Sequence, residues 1–376
     1  MKFKIEQATL QSALAMVQRA TAARVIQPIL GHVLIESLDD QTLLFAATDL
    51  DLGIEARVAA QVVQPGRITL NAKKLFEIVT KLPNDTVEVT FQPETQLAQI
   101  QCGSSLFDVR TLPADEFPVI QHLEGAHTVQ LKIKQFLKAI NLTAYAAAAY
   151  EVNNVLGGVF FKLDPTGQLE MAATDGSRLA CCKEELADKG AITEPITAII
   201  PAKTLQELAK LVSAQDVKED STVAITLHEG QIGFQFGQVY MVSRLLDGQY
   251  PQYQQLIPSQ YQLLAVADRQ TLIKSLERTA VMANERTNIV KMTFDEGQLS
   301  LSAQTPDLGD SKDSMSINYD GDELKIAFNY KYVLDALKVI ESDDVRVELN
   351  GGLSPTLFKA KDQENYVCLV MPVQVK

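Results

Sequence analysis

The stretch ATDGSRLACC, Ala173–Cys182, has a near twin in ATDLDLGIEA, Ala47–Ala56. An Asp between Thr and Gly, with an Arg three residues later, has two readings. It is a catalytic centre, or it is a turn between two strands that presents a binding surface. A chain that says the same thing twice favours the second, because recurrence at a fixed spacing marks a repeated module. Asp175 then reads as a turn residue that bonds nearby backbone amides. A weaker third copy is AQTPDLGDS, from Ala303.

The repeat extends to helices. NAKKLFEIVTKLP from Asn71, PAKTLQELAKLV from Pro201 and NYKYVLDALKVI from Asn329 start 130 and 128 residues apart. Leu75, Ile78, Val79 and Leu82 superpose on Leu205, Leu208, Ala209 and Val212, then on Val333, Ala336, Leu337 and Ile340. That spacing is one buried stripe of an amphipathic helix. The third residue is a lysine each time: Lys73, Lys203, Lys331. A second helical segment precedes each of these, beginning at Thr9, Ile133 and Arg269. Between them, stretches such as GQLSLSA, DELKIAF and DVRVEL alternate with the period of half-buried antiparallel strands. RTLPADEFPVI from Arg110 resembles RLLDGQYPQYQQLIP from Arg244. The expectation is an α+β chain of three modules, 1–123, 124–257 and 258–376, each with two helices on a sheet of about eight strands. QHLEGAH and LIPSQYQ are the connectors.

Composition sets the frame. A chain of 376 residues, 46% hydrophobic and 22% charged, has room for two or three cores. It contains no apolar run of bilayer length. Its start, MKFKIEQATL, alternates like a strand and lacks a signal-peptide core, so a cytoplasmic location is expected. Cys102, Cys181, Cys182 and Cys368 show no disulfide framework and read as reduced thiols.

The net charge of −13 argues against a nucleic-acid partner until it is located on the chain. The six helical segments together carry +9, leaving −22 elsewhere. For any one helix the plain reading is scatter on a solvated face. Six of one sign in an acidic chain indicate segregation. If the basic helix faces share one space, that space is positive inside an acidic shell and focuses the field on a polyanion.

At this point the residues resemble a family. QPILGHVLIE, ATDL, TLPADEFP, ATDGSRLA, DGQYP, YKYVLDAL and the terminal YVCLVMP together make the chain similar to the bacterial DNA polymerase III beta subunits, the sliding clamps, over its whole length. The resemblance implies the DNA clamp fold, closed into a ring by a head-to-tail homodimer around duplex DNA. It implies no catalysis, no cofactor and no membrane. Lysine contacts to phosphates position a protein without reading sequence, so such a ring slides. DNA contacts implied are Arg24, Lys73, Tyr150 and Asn154, with Lys203 added from the repeat. Asn154 and Val155 stand where some relatives carry aromatic residues. The joint implied is Lys74, Ile78, Phe107 and Val109 against Leu272 and Ile273, and the other reading of the aliphatics is intradomain core. A partner groove is implied at Leu156, Thr174, Gly176, Arg178, Leu179, Pro251, Leu256, Leu369 and Met371. It would receive short hydrophobic motifs of the replicative polymerase, the clamp loader, other polymerases and repair proteins. Gly176 would leave room for a peptide backbone. Leu179, Leu256, Leu369 and Met371 would form the floor, and Arg178 would bond the peptide. Gln255 stands where some relatives carry Arg. The other reading of Leu179 and Leu369 is strand core.

Two rival readings use the same residues. A hydrolase would need Asp49, Asp51 and Asp175 to converge on a metal, but Asp175 belongs to a different module from the other two. The four histidines (His32, His122, His127, His228) lack ligand spacing, and no phosphate-cradling Gly-Lys motif occurs. A scaffold that displays peptides without encircling DNA differs from a clamp only in topology.

Overall fold

The computed structural model describes residues 1–22, 27–124, 127–149, 155–186, 194–215, 218 and 220–374. Its helices are α1 (Gln7–Val17), α2 (Ala72–Lys81), α3 (Ile133–Thr143), α4 (Ala202–Ser213), α5 (Arg269–Ala280) and α6 (Tyr330–Val339). Helix α2 starts where the Asn71 side chain accepts the Lys74 amide at 3.0 Å. Helix α6 starts the same way, Asn329 accepting from the Lys331 amide at 3.1 Å. Such a cap satisfies one of the orphan donors of the first turn. The stripes are buried as spaced, with Ile78 and Ala209 half-buried at their margins. Lys73, Lys203 and Lys331 are all exposed.

Strands fall nine, eight and nine to the three expected spans among the described residues. They do not form one sheet per span. The chain folds as two compact units, Met1–Ile133 with Lys210–Leu245, and Lys134–Ala209 with Leu246–Lys376.

The first unit holds a 13-stranded sheet, antiparallel throughout. From one edge it runs His127–Lys132, Thr222–His228, Gln231–Phe236, Val239–Arg244 and Leu52–Ala59. It continues with Thr42–Thr48, His32–Ser37, Arg67–Asn71 and Ser105–Leu112, then Leu97–Cys102, Thr86–Gln92, Lys2–Glu6 and Gln61–Gln64. The repeat boundary is crossed where Val239 pairs with Ala56 and Ser243 with Leu52. Helix α1 lies on Thr42–Thr48 and Leu52–Ala59. Thr42–Thr48 is buried at five of its seven residues and Leu52–Ala59 at its first five.

The second unit has a nine-stranded and a four-stranded sheet. The larger runs Ile196–Pro201, Gly158–Leu163, Gln168–Thr174, Arg178–Glu185, Tyr366–Val370, Thr356–Ala360, Asp344–Leu349, Leu263–Asp268 and Asn318–Tyr319. Its crossing is the pairing of Arg178 with Val370 and Leu179 with Leu369. The smaller runs Gly309–Ser316, Gln298–Thr305, Ile289–Asp295 and Leu324–Asn329, and α5 packs on its first two strands. Pairing across repeat boundaries removes edges that separate sheets would leave open. No helix among the described residues is long and apolar enough to cross a membrane.

Candidate functional site

The twin stretches fold into the same turn, bond for bond. Thr174 Oγ1 donates to Arg178 O at 2.6 Å and accepts from the Gly176 amide at 3.1 Å. Asp175 Oδ1 accepts the amides of Ser177 at 2.9 Å and Arg178 at 3.0 Å. In the twin, Thr48 Oγ1 donates to Leu52 O and accepts from the Leu50 amide, while Asp49 Oδ1 accepts the amides of Asp51 and Leu52. Both aspartates are turn residues, the role expected of Asp175. The third copy departs: Thr305 Oγ1 donates instead to Met282 O. Its Pro306 stands where the other copies carry Asp, so no carboxylate accepts the following amides there.

Gly176 sits at φ +89°, and the matching residue of the twin is Leu50 at φ +79°. A Cβ built on Gly176 meets nothing within 4 Å. The twin therefore carries an exposed leucine where this turn leaves open space.

The expected groove residues all lie in the second unit, some of them bonded to that turn. Leu179 and Leu369 face each other across the strand pair and are 1% and 3% exposed. They belong to a core cluster with Ala172, Cys181, Tyr253 and Leu357. Leu256 and Met371 stand exposed, at 56% and 39%, and Leu156 is half-buried. The Met371 amide donates to Ser177 O at 2.9 Å, which ties the C-terminal segment to the turn. Pro251 and Gln255 are exposed on the segment leading to Leu256. Beneath them Phe160, Tyr250 and Tyr253 pack ring against ring, with centroids 5.6–6.2 Å apart. The Tyr250 hydroxyl accepts the Thr174 amide at 3.2 Å, and the Tyr253 hydroxyl donates to Glu170 at 2.8 Å. Burial pushes both phenols above their usual range. These tyrosines lay unassigned within QYPQY; its likeness to EFPVI at 116–120 was the available signal.

Arg178 is largely committed within the chain. Nε donates to Asp175 at 3.0 Å, Nη1 to Asp335 at 2.6 Å, and Nη2 to the Tyr145 carbonyl at 2.8 Å. Its guanidinium lies 4.5 Å from the Tyr332 ring centroid and 5.4 Å from that of Tyr145. Burial opposes its charge, but Asp335 and Asp175 outweigh that and raise its pKa. Two of its five N–H groups stay free of these bonds.

The expected joint residues lie in two places. Strand Ser105–Leu112 pairs along its length with Leu97–Cys102, but its other side meets Arg67–Asn71 only at Thr111 and Leu112. Ser105–Arg110 therefore presents an open edge among the described residues. Phe107 on that edge is 37% exposed and Leu106, which sequence reasoning passed over, 55%. Val109 and Ile78 are half-buried, and Lys74 is ion-paired with Glu77 at 2.7 Å. Leu272 and Ile273 are 1% and 8% exposed, packed within their own module. Beside α5 runs Gly309–Ser316, paired among the described residues on one side only, to Gln298–Thr305.

Of the expected DNA contacts, Lys73 and Lys203 occupy matching exposed positions in the first turns of α2 and α4. Arg24, Tyr150 and Asn154 lie outside the described residues. Among the described residues no three His, Cys, Asp or Glu side chains gather as a metal site.

Known proteins share this organisation. Family profiles for the DNA polymerase III beta subunit match the chain in series: the N-terminal domain at residues 1–121, the central domain at 130–252, and the C-terminal domain at 254–374. The beta sliding clamp of Synechococcus elongatus is 35% identical over 379 residues, covering all of both chains. That of Bacillus subtilis is 32% identical with the same coverage. Among solved structures, the sliding clamp of Bacillus subtilis superposes with a TM-score of 0.89 at 32% identity. That of Pseudomonas aeruginosa bound to griselimycin gives 0.90 at 30%. Both cover the two chains completely.

Proposed function

The chain belongs to the DNA polymerase III beta subunit family and is a DNA sliding clamp, and from that premise we propose how its residues do the work. Two copies close head to tail. The open edge at Ser105–Arg110 of one adds to the edge Gly309–Ser316 of the other. Lys74, Ile78, Phe107 and Val109 meet the face of α5 that Leu272 and Ile273 support from within. A head-to-tail contact that closes after two subunits leaves no free ends.

Lys73 and Lys203, with Arg24, Tyr150 and Asn154, contact the phosphate backbone of duplex DNA without reading bases. The repeat supports this reading, since it sets a lysine at one helical position three times. The modules are 1–123, 124–257 and 258–376. The subunit is non-catalytic, carries no cofactor and works in the cytoplasm.

The groove is the docking site for short hydrophobic motifs of the replicative polymerase catalytic subunit, the clamp loader and other polymerases and repair proteins. The observation that carries it is exposed Met371, tied by its amide to a turn whose Gly176 leaves the space beside it open. Leu156, Thr174, Pro251, Leu179 and Leu369 complete the lining. The soft thioether of Met371 adapts to varied partners. Since a related clamp is bound to griselimycin, that compound is the probe. Met371→Ala weakens griselimycin binding at least about tenfold while the sedimentation coefficient stays that of the dimer. Unchanged affinity refutes the groove.

A further inference from the structure

Asp335 lies on α6, 157 residues from Arg178, and its carboxylate completes the enclosure of the Arg178 guanidinium. Tyr332, three residues earlier on α6, lies against the same guanidinium. The helix therefore grips one end of the Thr174–Arg178 turn by an ion pair and a cation–π contact. The residue beside Arg178 in the turn, Ser177, accepts the Met371 amide. One short turn thus joins α6 to the segment that carries the exposed groove methionine.

We propose that Asp335 is a positioning residue for the groove: by holding Arg178 on α6 it fixes the turn against Met371, so that ligand affinity depends on a carboxylate outside the lining. The inference rests on the groove reading above. Loss of Asp335 does not leave a buried unpaired charge, because Asp175 and the Tyr145 carbonyl still hold Arg178. Asp335 is itself 42% exposed, so the fold tolerates its removal. What is lost is one of the points that fix the turn, and preorganisation of a site is where such losses register.

The test measures griselimycin binding by calorimetry on the full-length dimer. Asp335→Ala weakens binding about tenfold, and Asp335→Asn, which keeps an acceptor for Nη1, about threefold or less. In an Arg178→Met background, which leaves no cation for the carboxylate to hold, Asp335→Ala costs less than about twofold, since a residue acting through Arg178 has nothing left to position. An equal loss in both backgrounds, or wild-type affinity for Asp335→Ala, overturns the inference. Met371→Ala separates the two readings. If it weakens binding while Asp335→Ala does not, only this inference falls; if it has no effect, or the wild type does not bind, the groove reading falls and takes this one with it.

Discussion

Gly176 and Leu50 occupy the same position of the same turn at nearly the same positive φ. A leucine there carries the usual cost of a side chain in the left-handed region, about 1 kcal/mol, and the first module bears it. The turn alone does not demand glycine, and no neighbouring atom does; on the proposed groove, the reason is that a bound peptide uses the open space. Gly176→Leu therefore yields a folded dimer, with a melting temperature a few degrees lower, that binds griselimycin more than about tenfold more weakly. Wild-type affinity in that variant sinks the idea that the space is used. The cysteines are the opposite case, residues with reactive chemistry and no access. Burial pushes the thiols of Cys181 and Cys182 up to about 12 and that of Cys368 up to about 11. Cys102 is raised by the same cause. Since the thiolate is the nucleophile, alkylation at pH 8 waits on unfolding. Fast native labelling by iodoacetamide contradicts this. The turn aspartates were legible from their spacing; the partners of Arg178 were not, because nothing local marks a carboxylate 157 residues away.

At the scale of elements, the open edge and α5 behave differently under mutation. Leu106 and Phe107 are exposed in the single chain, and burying each at a joint contributes about 1.5–3 kcal/mol. The double variant Leu106→Ala with Phe107→Ala keeps its melting temperature at high concentration within a few degrees but shifts sedimentation towards the monomer. An unaltered dimer counts against the edge as the joint. Leu272 is already core, so Leu272→Ala costs about 2–5 kcal/mol of stability through a cavity, and the monomer–dimer balance moves only as a consequence. The helix stripes were readable because 3.6-residue periodicity is local. Which of two buried-looking aliphatics faces a joint was not, because both readings write the same residue type.

For the whole molecule, salt separates two modes of binding. Helices α2–α6, each net basic in a −13 chain, attract DNA weakly and non-specifically, an attraction that falls steeply with salt. Threading does not. Loaded onto closed circular DNA, the protein stays bound through a wash at raised salt and leaves once the circle is cut. Equal retention on both forms excludes encirclement.

The sequence by itself determined the triplication, the amphipathic helices with their first-turn lysines, and the shared Thr–Asp turn. Each depends on residues within a few positions of one another, where spacing and capping chemistry leave little choice. The tertiary structure alone decided that Val239–Arg244 pairs with Leu52–Ala59 and Arg178–Glu185 with Tyr366–Val370, that Arg178 closes on Asp335, and that Ser105–Arg110 is left open among the described residues. Strand edges carry the same backbone donors and acceptors whatever their side chains, so the choice of partner strand is made by packing among distant segments and leaves no local mark.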